Sequence, residues 1–134
     1  MQKAIFAKLS GATALTTRLG AGNRIVDKVP ATQVYPYVRI GDDNVADRAN
    51  SCNDGWEVTC TLHVFSRDAQ RARMDAKEIC DLVLQAVGVF TSPPAPTGFA
   101  VKDLELVQAR TFMEADGITA HGVLAVSYLV REAA

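Results

Sequence analysis

The chain has 134 residues, 49% of them hydrophobic and 22% charged, with a formal net charge of -1. A chain of this length forms one domain, residues 1–134, and buries roughly 68% of the surface its unfolded form exposes, enough for a core without staples. The near-neutral balance excludes a global electrostatic pull toward nucleic acid or anionic membrane, and no apolar run approaches the roughly 20 residues of a membrane span.

The opening segment, MQKAIFAKLSGATALTTRLG, has no continuous apolar stretch and reads as an amphipathic helix over residues 2–18 rather than a signal peptide. Ile5, Leu9, Ala12 and Leu15 face inward, and Gly20 and Gly22 stop the helix. Residues 24–28 (RIVDK) form a short extended piece. Val29-Pro30 and Tyr35-Pro36 bracket an irregular segment, because a residue before proline is pushed away from helix. Residues 37–40 (YVRI) make a second strand. The longest polar run follows, residues 42–55 (DDNVADRANSCNDG). Its many turn formers read as a mobile loop, either a plain hairpin connection or a partner-contacting arm.

The clearest signal is residues 56–87. Trp56, Val58, Cys60, Leu62 and Val64 fall on one face of a strand, and Glu57, Thr59, Thr61 and His63 on the other. Asp68 is placed to cap the next helix, whose apolar stripe is Ala72, Ala76, Ile79, Cys80, Val83 and Val87. Residues 88–98 are a proline-rich crossover. Residues 101–112 alternate again, with Leu104, Leu106 and Phe112 on one side and Val107 and Ala109 on the other. Ala115-Asp116-Gly117 is a hairpin turn. The last strand, residues 118–131, sets Ile118, Ala120, Leu124, Val126, Tyr128 and Val130 on one face, with Val123, Ala125 and Leu129 opposite. The expected fold is α+β: a mainly antiparallel sheet with two helices packed on one face.

The residues offer little catalytic chemistry. Of the three cysteines, Cys60 and Cys80 lie on apolar faces, and the odd number suggests reduced thiols in a cytoplasmic product. No zinc-type spacing or glycine-rich phosphate loop occurs. His63 and His121 are general bases by type but read as polar-face strand residues. Cys60 and His63, three apart on a strand, point to opposite faces and make no dyad. Asp42, Asp43, Asp47 and Asp54 do not follow the calcium-loop pattern. Arg67, Arg71, Arg73 and Lys77 interleave with acids as a mixed solvated face. No cofactor or metal is expected.

Three segments together resemble one family: RIVDKVPATQVYPYVRIGDD, EVTCTLHVFSRDAQRARMDAKEICDLV and DGITAHGVLAVSYLVRE. In this order they resemble the tail-completion, or tail-terminator, proteins of long-tailed bacteriophages and phage-derived particles, over residues 24–132. Phe65 stands where that family often has tryptophan. The resemblance implies a homo-oligomer, a hexameric ring at the head-proximal end of the tail tube. Its partners would be the tube protein and the head connector or stopper, with DNA passing through unread. It implies a non-enzymatic virion component of the tail neck, made in the bacterial cytoplasm, of an infectious phage, a defective prophage or a gene transfer agent.

Two surfaces are candidates for such contacts. Asp42, Asp43, Asp47, Arg48 and Asp54 mark the loop expected to meet tube or connector. Val123, Ala125 and Leu129 mark a subunit interface on the outward face of the last strand. The alternatives are another neck component (a head-completion or connector protein), a non-catalytic oligomeric binding module, or a small hydrolase using Cys52 or His121.

Overall fold

The computed structural model describes residues 1–49, 54–88 and 93–133. The chain begins with two short helices, α1 (Gln2–Gly11) and α2 (Thr13–Leu19), where the sequence suggests one. The break is at Ala12, which is extended (φ -82°, ψ 97°) and follows Gly11, a residue whose backbone freedom disfavours continued helix. Both pieces bury apolar side chains: Ile5 and Leu9 from α1, Leu15 and Leu19 from α2. The described residues therefore hold three helices, the third being α3 (Ala72–Ala86), and not the expected two.

Five strands form one sheet in the order β1-β2-β3-β5-β4. They are β1 (Ile25–Val26), β2 (Tyr37–Asp47), β3 (Gly55–Ser66), β4 (Phe99–Met113) and β5 (Ala120–Glu132). The α+β class is as expected, but the sheet is mixed: β1 runs parallel to β2, and the remaining pairings are antiparallel.

A second correction concerns residues 42–47. They continue β2 as an arm paired with β3 through Asp43↔Cys60, Val45↔Val58 and Asp47↔Trp56, after a register shift between Ile40 and Asp43. Strand pairing is made by main-chain groups, so polar side chains do not prevent it where one side of the ribbon is solvated. Residues 48, 49 and 54 lie beyond the paired strands, and residues 50–53, with Cys52, lie outside the described residues.

Alternation in β3 is as the sequence suggests: Val58, Cys60, Leu62 and Val64 are buried under the helices, with Leu124, Val126 and Tyr128 beside them from β5. The stripe of α3 packs on these strands through Ile79, Cys80 and Val83. The Tyr128 hydroxyl donates to the Val87 carbonyl at 2.8 Å, satisfying an acceptor at the end of α3. At the other end of α3, buried Asp75 accepts from the Ser66 hydroxyl and pairs with Arg18, tying α2 to β3.

Two details of the closing hairpin differ from expectation. Bulges in β4, at residues 101–103 and 106–108, each insert one residue, so Leu104 and Leu106 pair with Tyr128 and Val126 while Phe112 moves to the opposite face beside His121. Ile118 precedes β5 and is 58% exposed, so it is not part of the core face. Val107, between Leu106 and Gln108 in the second bulge, is 55% exposed.

Cys80 of α3 lies close against β5 at Gly122. A Cβ at position 122 would lie 2.4 Å from the Cys80 sulfur, which is why Gly122 interrupts an otherwise bulky strand. Gly122→Ala should destabilise the fold by about 1–3 kcal/mol through overpacking. Adding Cys80→Ala should recover most of that loss in urea denaturation; strictly additive effects would contradict the contact.

Candidate functional site: the uncovered sheet face

All three helices lie on one side of the sheet, and the other side carries the residues of opposite parity. On β3 these are Glu57, Thr59, Thr61, His63 and Phe65; on β5 they are His121, Val123, Ala125, Ser127 and Leu129. The sequence-derived interface residues Val123, Ala125 and Leu129 all belong to this face, and Ala125 pairs with Thr61 at its centre. Val123 and Leu129 are half-buried, and Ala125 is 8% exposed without any helix above it, sheltered by its cross-strand neighbours. An antiparallel sheet tolerates water on one face when that face is polar. This one is part apolar, carrying Val123, Ala125 and Leu129 beside its polar residues.

Toward the end where β3 and β4 meet their turns, the face becomes aromatic. Tyr37 stacks on Phe65 (ring centroids 4.9 Å apart), Phe65 on His121 (4.3 Å), and Phe112 lies against His121 (4.9 Å). Arg67 sits over Tyr35 at 4.1 Å and Arg110 over Phe112 at 4.6 Å, capping the band with cation–π contacts. Within it, His63 Nδ1 is 2.7 Å from His121 Nε2, and His121 Nδ1 is 2.7 Å from a Glu114 carboxylate oxygen. That geometry assigns the protons: His121 donates from Nδ1 to Glu114, leaving Nε2 to accept from His63. The His63 ring is pressed against the backbone of Gly41, where a Cβ would fall 2.8 Å from its Nε2.

Electrostatics favour neutral imidazoles here. Burial, with the nearby Arg39 guanidinium and His121, holds His63 down to about 4, and Asp42 opposes weakly. His121 is also lowered, chiefly by burial, although its contact with Glu114 pulls the other way. The described thiols play no part in this cluster. Cys60 and Cys80 are on the helix-covered side, and burial pushes both up to about 12, so they remain protonated. Cys60 and His63 point to opposite faces, as their spacing suggests.

The acidic residues sit elsewhere. Asp42, Asp43 and Asp47 are on the arm of β2, and Arg48 and Asp54 flank its tip. Arg48 pairs with Glu57 at 3.3 Å, and its carbonyl accepts from Arg131 at 2.7 Å, so the base of the tip is tied to β3 and β5. No cluster of three or more His, Cys, Asp or Glu able to hold a metal occurs among the described residues. Asp68 does not cap α3 directly. It accepts from the amides of Gln70 and Arg71, which hold it below its ordinary range, and the helix starts at Ala72.

The link between Glu114, His121 and His63 is absent from the sequence reading. Its one signal is that both histidines have outward strand parity; their meeting depends on the β3–β5 register, which is set by distant residues. Because His63 is held below its unfolded value of 6.5, the unfolded chain binds the proton more readily, and stability should fall as pH drops from about 6.5 to about 4. Allowing for partial exposure, the loss should be about 1–2 kcal/mol. Thermal melts across that range should show it, and His63→Gln should flatten the profile. The stability that Asp68 and Asp116 gain from the hydrogen bonds that hold them low is lost only as pH falls below their ordinary value of 3.8. A slope unchanged in His63→Gln would contradict the assignment.

Residues 3–131 match the family described as tail completion protein gp17. The tail completion protein gp17 of Bacillus phage SPP1 is 28% identical over 108 residues, covering 81% of this chain and 77% of that protein. The solved structure of the bacteriophage SPP1 gp17 protein is similar with a TM-score of 0.62 and 26% identity, covering 95% of this chain and 86% of that one. A chain of the virion of a native gene transfer agent particle matches with a TM-score of 0.81 over 98% of this chain and 94% of its own length; at 20% identity this shows a shared fold. With sequence and fold agreeing over nearly its whole length, the chain belongs to the tail completion protein gp17 family.

Proposed function

We propose that the chain is a structural virion protein that forms a ring at the head-proximal end of a phage or phage-like tail, terminates the tail tube and joins it to the head connector. The observation that carries this reading is family membership over residues 3–131. A ring requires two different patches on each subunit that meet head to tail and close by rotation. The uncovered sheet face around Val123, Ala125 and Leu129 is one such patch, and the arm bearing Asp42, Asp43, Asp47, Arg48 and Asp54 is the partner-contacting element. Six subunits, the tube protein and the connector complete the assembly at the tail neck, after synthesis in the bacterial cytoplasm.

The role is non-catalytic. The imidazoles are engaged with each other and with Glu114, and the described thiols are buried on the opposite side of the sheet. The net charge of -1 suits a part through which DNA moves, since strong positive charge would retain the phosphate backbone.

Electron microscopy of particles from cells with an early stop codon in this gene tests the reading. Overlong or ragged tails separated from filled heads are expected. Normal joined particles would overturn it and favour a binding module acting outside the particle. Empty or leaking heads beside free tails of normal length would assign the chain to the head-side connector instead.

A further inference from the structure

We propose that residues 43–47 of one copy dock in a basic groove at the start of α3 of the next copy. The inference rests on the ring-forming reading and names the partner of the arm's strand portion. The groove lies between the β3–α3 connection, the first turn of α3 and the β4–β5 turn, with a volume of about 630 Å³. Arg67, Arg71 and Arg73 line it with Met74, Met113 and Ile118. Met74 is 54% and Ile118 58% exposed, a high value for large apolar side chains and a sign that they await cover. The guanidinium groups make only long acidic contacts within the chain, although Arg67 also donates to Thr119 Oγ1 at 2.8 Å and sits over Tyr35. Arg67 is 3.7 Å from Asp116, Arg71 is 3.8 Å from Glu78, and Arg73 has no acidic partner among the described residues. Asp68 also lines the groove, but the Gln70 and Arg71 amides already occupy one of its oxygens.

The arm presents the complementary pattern. Asp43, Val45 and Asp47 alternate on one face of β2, opposite Cys60, Val58 and Trp56. Val45 is 59% exposed, and neither aspartate makes an ion pair among the described residues. An exposed valine between two carboxylates thus matches an exposed methionine and isoleucine beside three guanidinium groups. Both patches lie on the helix-bearing side of the sheet. They are separated along β3 by the distance from residues 56–60 to residue 66, roughly 20–33 Å at strand rise, so one chain cannot satisfy both. A contact between two different patches at opposite ends of a subunit is heterologous, and it adds to the contact made by the bare sheet face in a ring that closes by rotation. The arm's tip, with Arg48 and Asp54, is left to reach a neighbouring component.

Charge exchange between the patches tests this. Variants are supplied to cells carrying the stop codon, and the yield of joined particles is counted. Arg73→Glu alone and Asp43→Lys alone should each lower the yield about tenfold, by setting like charges against each other. The double variant should regain most of it. Melting temperatures of the purified variants should equal the parent's, since both side chains are exposed; if a reversal perturbs folding, Arg73→Gln and Asp43→Asn replace it, each weakening assembly. Sedimentation velocity of the purified chain at high concentration is measured in parallel and should show the same loss and rescue, weakening with salt. Normal yield from both single variants overturns the proposal. So does a double variant no better than the worse single one, which would assign the groove to phosphate or to a different protein. If the stop codon leaves particles normal, the tail-terminator reading fails separately, and sedimentation alone decides the contact: loss and rescue uphold it, and absence of self-association overturns it.

Discussion

The structure depends on one asymmetry: its sheet is covered by helices on one side and bare on the other. The covered side explains most of the local structure. Cys80 presses on Gly122, Tyr128 reaches the end of α3, and Asp75 joins Arg18 to Ser66. The two pieces on either side of the break at Ala12 serve this side together, since Ile5 and Leu9 of α1 and Leu15 and Leu19 of α2 share one core. The bare side has no such apolar lid, and its composition is the more telling for that reason. A face meant only for water would carry lysine and glutamate rather than Phe65, Phe112, Val123, Ala125 and Leu129.

Fixed geometry on that bare face comes from rings and hydrogen bonds instead of burial. The stack from Tyr37 through Phe65 to His121 spans neighbouring strands, and the chain from His63 through His121 to Glu114 sets the orientation of both imidazoles. The geometry resembles an acid–base relay, yet its members are spent on one another. A structural role accounts for the arrangement without asking for chemistry, and it agrees with membership in the tail completion protein gp17 family.

Much of the architecture was legible in the residues, and the failures have physical causes. The alternation from Val58 to Val64 and the stripe from Ala76 to Val87 are strong because each buries one face in a core, and both stand where the periods place them. The arm at residues 42–47 was hidden because strand pairing there is held by backbone groups that leave no apolar signature. Simple alternation puts Phe112 on the wrong side because a bulge shifts parity by one residue, and Val107 gives no sign of it. Val123, Ala125 and Leu129 were legible as an outward apolar set. The meeting of His63 with His121 was not, since it needs the register of two strands distant in sequence.

Whether assembly covers the bare face is read directly by one labelling experiment. Thr61 is half-buried at the middle of that face, paired with Ala125. In a Thr61→Cys chain also carrying Cys52→Ser, the thiols of Cys60 and Cys80 stay buried and protonated, so maleimide labelling reports the new site. The account predicts ready labelling of the free folded chain and strong protection in assembled particles. Equal labelling rates in the two states would contradict it.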